Sequence, residues 1–205
     1  MPRRPVFLLA FAAALAAALP ARAQTVELAG VKYPPTEQVS GSTLVLNGAG
    51  IRYKFVVKVY TAALYMGSKA ATPEAAIAAP GPKRMHVVML RDIDANELGR
   101  LFTRGMQDNA PKEEFSKFIP GTIRLADIFS AKKKLFAGDH FWVDYVPGQG
   151  TTVLVNGKPQ GEPIKEPEFY GALLRIWLGA NPADGQLKEA LLGREARHVT
   201  SPGQQ

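Results

Sequence analysis

The sequence predicts an α+β domain in which a largely antiparallel sheet carries helices on one face. Strand-like segments, rich in β-branched and aromatic residues, fall into two groups with short turns between neighbours. After Asp94 the apolar period changes from two to that of an amphipathic helix. The chain has 205 residues, 46% of them hydrophobic, and contains no linker or repeat. This length is enough for one domain with its own core.

The first group of strands lies before residue 91. Residues 43–46 predict a short strand, and the following Asn-Gly-Ala-Gly at 47–50 predicts a turn. Residues 53–66 alternate with a rough period of two and predict one long strand, and residues 84–90 predict another. Between these strands, Thr72 before a proline and a glutamate predicts a short capped helix.

Two helices are predicted next. From Asp94 the apolar positions recur at helical spacing, and Glu97 three residues later is typical of a capping box. Asn109-Ala110-Pro111 is expected to end this helix. Residues 112–133 predict a second helical stretch that is broken at Pro120-Gly121.

The C-terminal third repeats the order of strands before helices. Residues 139–146 and 151–156 predict two strands joined by a Pro-Gly-Gln-Gly turn, and Asn156-Gly157 predicts a hairpin into a further short strand. Residues 167–178 and 184–192 predict the last helices.

The N-terminus has the pattern of an export signal. Two arginines precede an unbroken apolar run at 6–19, and small residues follow at Ala21 and Ala23. The run is shorter than the roughly 18–20 residues that span a bilayer. We expect cleavage after Ala23, with residues 1–23 as signal peptide, 24–193 as the domain and 194–205 as a frayed tail. The protein would then be periplasmic or secreted, without a stable membrane span; an uncleaved anchor is the alternative.

Composition excludes several classes of function. The chain has no cysteine, and its three histidines are scattered, so neither a metal site nor a cofactor is expected. The formal charge is +7. Cleavage removes three of the 25 basic residues and no acid, leaving 22 − 18 = +4. The one dense basic run, Lys132-Lys133-Lys134, has no interleaved aromatic residue, so it is interpreted as a solvated helix end and not as a nucleic-acid site.

Few residues stand out as candidates for chemistry. Asp139 and Asp144 are five apart on one predicted strand and point to opposite faces, and His86 lies among strand valines. Arg52 begins the predicted long strand beside the glycine-rich turn, and Asn109 ends the amphipathic helix. Arg52 is either a functional residue or a solvated arginine, and Asn109 is either a functional residue or an asparagine that only terminates the helix.

Several segments in order resemble the chalcone isomerase superfamily, and in particular its exported bacterial chalcone-isomerase-like branch. They are Gly48-Ala49-Gly50-Ile51-Arg52, the stretch KVYTAALY at 58–65, the helix at 92–109, KLFAGD at 134–139, GQGT at 148–151, FYGALLRIWLG at 169–179 and Leu191-Leu192-Gly193. The resemblance covers roughly residues 39–193, and the order and spacing of the segments carry it.

The resemblance implies an open-faced β-sandwich, a large antiparallel sheet covered by a helical layer, with a ligand cleft between them. The superfamily includes isomerases, fatty-acid-binding proteins and non-catalytic relatives. The arginine of the isomerase site corresponds to Arg52 and its asparagine to Asn109. The tyrosine position falls on Phe102, the strand threonine on Tyr60, and the last threonine or serine near Ile176. The loss of a positioned proton donor at Phe102 leaves that site incomplete, at a typical cost of about 10²–10⁴ in rate.

Three hypotheses for function follow. Arg52 and Tyr60 are eight residues apart, so on one unbulged strand they share a face, where a guanidinium and a phenol suit a carboxylate. The leading hypothesis is a non-catalytic exported binding protein for a fatty acid or similar apolar carboxylate. Arg52 would anchor the ligand, Tyr60 would assist, and Phe102, Asn109 and Ile176 would line the cleft. The second is an isomerase or lyase acting on an enone, with Arg52, Tyr60 and Asn109 as candidate catalytic residues. The third is a structural or partner-binding protein whose cleft has closed.

Overall fold

The computed structural model describes residues 24–194, and within them a seven-stranded antiparallel sheet dominates. The strands of this sheet are β3 (Thr36–Val39), β4 (Ser42–Lys54), β5 (Val57–Met66), β6 (Lys83–Met89), β9 (His140–Val146), β10 (Gly150–Val155) and β11 (Lys158–Pro159). Their order in the sheet is β11-β10-β9-β6-β5-β4-β3, so most neighbours in the sheet are also neighbours in sequence. Two small hairpins complete the strands: β1 (Val26–Leu28) with β2 (Val31–Tyr33), and β7 (Ile93–Asp94) with β8 (Lys134–Leu135).

Five helices accompany the sheet in the described residues. They are α1 (Pro73–Ala78), α2 (Ala95–Gln107), α3 (Lys112–Ser130), α4 (Phe169–Leu178) and α5 (Gly185–Leu191). Both predicted N-caps are present, because Thr72 Oγ1 accepts from Ala75 N at 3.2 Å and an Asp94 carboxylate oxygen accepts from Glu97 N at 2.9 Å. Apolar residues of α2, α4 and α5 form one core with one face of the sheet, which confirms the α+β class.

The glycine-rich segment at 47–50 is not the predicted turn. β4 runs through it without ending, with a β-bulge at Asn47 between the pairs Leu46–Tyr65 and Gly48–Leu64. A Cβ at Gly50 would lie 2.7 Å from the Ala190 Cβ, and one at Gly48 would collide with the Ala190 carbonyl oxygen. These glycines therefore serve the close approach of α5 to the sheet, and the turn prediction was wrong.

The predicted single strand at 53–66 is a hairpin. Tyr53 and Lys54 end β4, Phe55 and Val56 form a two-residue turn, and β5 begins at Val57. The turn has no glycine, asparagine or proline, so its residues carry none of the usual turn signals. Phe55 adopts a φ of 57°, a conformation that favours glycine.

The helix predicted to break at Pro120-Gly121 is continuous. Pro120 lies inside α3, although its ring removes one backbone hydrogen bond and typically costs about 3 kcal/mol. Buried Phe118, Leu125 and Phe129 hold the two halves on the core, each side chain contributing roughly 1.5–3 kcal/mol. Burial along the helix therefore outweighs the cost of the proline.

The opposite face of the sheet carries a second, smaller core that the sequence did not predict. The β1–β2 hairpin covers it and Val39 of the edge strand β3 contributes to it, with Tyr33 and Tyr65 fully buried there. Arg84 bonds Asp144 at 2.6 Å and Glu37 at 2.7 Å, and Glu37 also contacts His86 at 3.2 Å. Burial would raise the pKa of Glu37, but the hydrogen bonds from His86 and Arg84 outweigh it and lower that pKa. His86 is therefore a structural partner of the half-buried Glu37 carboxylate.

No helix within residues 24–194 has the length and apolarity to cross a membrane. The predicted signal peptide at 1–23 and all of the predicted tail after Arg194 lie outside the described residues.

Candidate functional site

A cavity of about 170 Å³ lies between the helical layer and the end of the sheet formed by the β4–β5 hairpin. The sheet contributes Arg52 and Tyr60, α2 contributes most of one wall, and the loop after α4 closes one side. The lining residues are Arg52, Tyr60, Ile93, Leu98, Leu101, Phe102, Arg104, Gly105, Asp108, Ile176, Asn181, Pro182 and Ala183. Four of the five predicted ligand-binding residues therefore line one cavity.

Arg52 and Tyr60 face each other across the β4–β5 hairpin. They are cross-strand partners in the register, and the Arg52 guanidinium carbon lies 5.6 Å from the centre of the Tyr60 ring. The predicted arrangement, in which both residues lie eight apart on one unbulged strand, is wrong, because a bulge after Arg52 and the hairpin turn separate them. They share a face because they are directly opposed.

Within the described residues Arg52 has no ion-pair or hydrogen-bond partner for its guanidinium. Among residues 24–194 its guanidinium forms neither an ion pair nor a side-chain hydrogen bond, although the residue is half-buried. The backbone beside it is fixed instead, since Tyr53 N donates to an Asp184 carboxylate oxygen at 2.9 Å. The cavity thus has one half-buried cation whose hydrogen-bond donors are free.

Tyr60 is held by the helical layer. Its hydroxyl oxygen accepts a hydrogen bond from Trp177 Nε1 at 2.9 Å, and both residues are buried. Burial raises the pKa of Tyr60 to about 12, although the nearby Arg52 charge acts to lower it. The phenol therefore stays protonated at neutral pH. Within the described part of the chain, the bond from Trp177 is its one side-chain hydrogen bond, so the phenol proton is available to a ligand.

Phe102 and Ile176 form the apolar wall. Phe102 is buried, with its ring centroid 5.2 Å from that of Phe129 and 5.8 Å from that of Trp177. Ile176 approaches α2 closely at Gly105, where an added Cβ would lie 3.1 Å from the isoleucine. At these two positions the cavity wall offers no polar side chain.

Asn109 does not line the cavity. Its side-chain nitrogen donates to Gly105 O and to Asn181 O, each at 2.9 Å, and its side-chain oxygen accepts from Asn181 N at 2.8 Å. Asn109 thus ties the end of α2 to the loop after α4. Its amide is committed to backbone partners, which is a structural role.

The residues at the cavity mouth were not predicted. Arg104 and Asp108 form an exposed i,i+4 ion pair of 3.5 Å, and Asn181 and Ala183 come from an irregular loop. Leu98 and Leu101 could be identified on the apolar face of α2, but the sequence does not distinguish a core position from a cavity wall.

The arrangement suits recognition of one anionic group attached to an apolar body. Arg52 can donate two parallel hydrogen bonds to a carboxylate, Tyr60 can donate a third, and the remaining wall is largely apolar. No group of three or more metal-binding side chains converges anywhere in residues 24–194.

Comparisons with known proteins place this geometry in context. The sequence of residues 25–193 matches a family model described as chalcone isomerase-like. The fold is similar to the crystal structure of a fatty-acid binding protein from Arabidopsis thaliana, with a TM-score of 0.66 and 15% identity. That alignment covers 82% of this chain and 96% of the other. It confirms the predicted fold, a large antiparallel sheet covered by a helical layer. No curated protein matches the sequence.

Proposed function

Because the chain belongs to the chalcone isomerase-like family, we propose that it is an exported, non-catalytic binding protein for a fatty acid or similar apolar carboxylate. The observation that carries the proposal is Arg52, a half-buried cation that lines a largely apolar cavity and whose guanidinium has no ion-pair or hydrogen-bond partner among the described residues. A buried or half-buried cation without a partner is costly, and a bound anion removes that cost.

The carboxylate lies against the hairpin in this proposal. The planar guanidinium of Arg52 binds both oxygens, and the Tyr60 phenol donates to one of them. The raised pKa of Tyr60, about 12 as a result of burial, supports its role as a donor at neutral pH. The contact with Trp177 supports the same role, because Trp177 Nε1 donates to the phenol oxygen and the phenol proton stays free for a ligand.

The apolar part of the ligand lies along Phe102 and Ile176. A cavity of about 170 Å³ is close to the engineered cavity of roughly 150 Å³ that binds benzene. It therefore holds the carboxylate end and a short apolar segment. A longer chain extends past Leu101, which is 37% exposed at the mouth.

Binding is favoured over catalysis by two residues. Phe102 has no hydroxyl to transfer a proton, and the Asn109 amide is committed to backbone groups. The third hypothesis, a closed cleft, has less support because the cavity persists between the layers.

Calorimetric titration with saturated fatty acids of increasing length tests the proposal. We expect Arg52→Ala to weaken binding about 10- to 100-fold, since a hydrogen bond to a charged group contributes about 1.5–3 kcal/mol. We expect Tyr60→Phe to weaken it about fivefold, the effect of a neutral hydrogen bond.

Arg104→Ala is the matched control. Arg104 also lines the cavity, but its side chain is 79% exposed and paired with Asp108, so its removal should leave affinity nearly unchanged. Equal losses in the Arg52 and Arg104 variants would contradict the specific role of Arg52. The absence of any fatty-acid binding to the native chain would refute the proposal.

The enone isomerase remains the second candidate, because the Arg52–Tyr60 pair also suits the phenolate and carbonyl of an enone. Stereoselective cyclisation of a hydroxychalcone above the spontaneous rate, lost in Arg52→Ala, would favour it. Export rests on the N-terminal sequence pattern, and the intact mass of the protein after export tests cleavage after Ala23.

A further inference from the structure

One end of the sheet presents apolar side chains to solvent. At the turn of the β4–β5 hairpin, Phe55 is 93% exposed and Val56 is 90% exposed, and Val57 follows at 43%. Most exposed apolar residues occur singly, whereas these three are consecutive at the furthest point of a hairpin.

The hairpin turn is not built for stability. A two-residue turn with positive φ at its first position strongly favours glycine, yet here that position is Phe55 at a φ of 57°. A left-handed conformation is unfavourable for any residue with a Cβ. The exposed Phe55 ring contributes almost no burial to folding and its backbone conformation disfavours the folded chain, so folding explains neither.

Lysines surround this turn. Lys54 and Lys58 flank it on both strands and are exposed. The topology brings a second segment to the same end, because Leu90 N bonds Val59 O at 3.0 Å and Gly138 N bonds Met89 O at 2.9 Å. The segment between α3 and Gly138, which includes β8, contains the Lys132–Lys134 run, whose three lysines are all exposed.

That loop adds a second exposed ring. Phe136 is 55% exposed, with Lys134 Nζ 5.1 Å from its ring centre. We call the two segments together, residues 54–58 and 132–136, the tip surface. It combines apolar residues, five lysines and an aromatic ring on each segment.

Three acidic residues near the tip surface form ion pairs or hydrogen bonds with residues of that surface. Asp92 pairs with Lys134 at 2.8 Å, and Glu97 lies 3.9 Å from Lys54. Asp139 accepts from Phe136 N at 2.8 Å. By contrast, Lys58, Lys132 and Lys133 have no ion-pair partner among residues 24–194, so three cations remain for an external anion.

We propose that the tip surface docks on an anionic lipid bilayer, with Phe55 and Val56 inserted among the headgroups and the lysines on lipid phosphates. Apolar and aromatic residues flanked by lysines are the composition that binds such an interface. Each lysine near an anionic surface strengthens binding about fivefold.

Docking would bring the cavity to the membrane. Arg52 lies on β4, three residues before Phe55 in the turn, and three residues of extended chain span roughly 10 Å. If the protein binds apolar carboxylates as proposed above, on which this step rests, the cavity would exchange them directly with the bilayer.

Co-sedimentation of the exported chain with phosphatidylcholine vesicles, with and without phosphatidylglycerol, tests the docking. We expect binding only to the vesicles that contain phosphatidylglycerol, and its loss at high salt. Phe55→Gly relieves the backbone strain and should weaken binding about tenfold, since an inserted phenylalanine contributes on the order of a factor of ten. Lys132→Gln and Lys133→Gln should each weaken binding about fivefold.

Ile119→Ser is the matched control, because it removes a 43% exposed apolar side chain from α3, outside the tip surface. Equal binding by the native chain and Phe55→Gly would overturn the proposal. So would a Phe55-dependent dimer in sedimentation without lipid, which would assign the surface to a second copy of the chain. Arg52→Ala separates the two proposals, since it should lose fatty-acid binding and keep vesicle binding.

Discussion

The hydrogen bond between Tyr60 and Trp177 links the sheet to the helical layer at the wall of the cavity. Tyr60→Phe removes the only acceptor that Trp177 Nε1 has within residues 24–194, and it does so without changing the shape of the ring. A buried donor left without a partner costs about 1–3 kcal/mol. We therefore expect the free energy of unfolding to fall by about 2 kcal/mol.

Thermal unfolding followed by circular dichroism measures this change. In a domain of this size, 1 kcal/mol shifts Tm by about 2–4 °C, so the expected decrease is roughly 4–8 °C. Tyr53→Phe is the control, because the Tyr53 hydroxyl makes no side-chain hydrogen bond in the described residues and its loss should shift Tm by less than about 1 °C.

A double-mutant cycle with Trp177→Phe isolates the pair. We expect a coupling energy of at least about 0.5 kcal/mol, the lower limit for groups in direct contact. An unchanged Tm in Tyr60→Phe, or additive effects in the cycle, would refute the argument that this bond joins the two layers. Tyr60 would then affect ligand binding alone.

Three further predictions concern stability. Folding lowers the pKa of Glu37, so the ionised carboxylate stabilises the folded chain at pH values above its ordinary pKa of 4.5. That contribution to the free energy of unfolding is lost as the pH falls through the lower pKa of the folded state. Urea midpoints should thus decline below about pH 4.5 in the native chain and less steeply in Glu37→Gln; parallel declines would contradict this assignment. Phe55→Gly should raise Tm by roughly 2–8 °C, since it removes about 1–2 kcal/mol of backbone strain, and a lower Tm would show that the ring stabilises the fold. Gly121→Ala should cost about 1–3 kcal/mol in urea unfolding, because the new Cβ would lie 2.7 Å from the Phe169 ring. Phe169→Leu should recover part of that loss, and additive losses would argue against the contact.

The fold class and most elements could be predicted because hydrophobic period and capping residues are local signals. The errors arose where a distant contact decided the structure. Gly48 and Gly50 have the composition of a turn, but α5 packs on them, and this contact lies about 140 residues away in sequence. Pro120 stays within a helix because tertiary burial outweighs the local cost.

The site was predicted partly through a reason that proved incorrect. Arg52 and Tyr60 share a face, but as partners across a hairpin and not as residues of one strand. Their placement beside Phe102 and Ile176 depended on the family resemblance, which carries tertiary information that spacing alone lacks. Asn109 shows the converse, because the resemblance identified the position and only the structure revealed that its amide holds a loop.

Strand β5 has a consequence for how the cavity can change shape. Every residue of β5 from Val59 onward is buried, with the main core on one side and the smaller core on the other. Such a strand opens only when the whole domain unfolds, so its backbone amides should be among the slowest to exchange with deuterium. The Tyr60 wall is consequently rigid. A ligand too large for 170 Å³ must be accommodated by displacement of α2 and the loop at 181–183, and faster amide exchange in those segments would mark the path of entry.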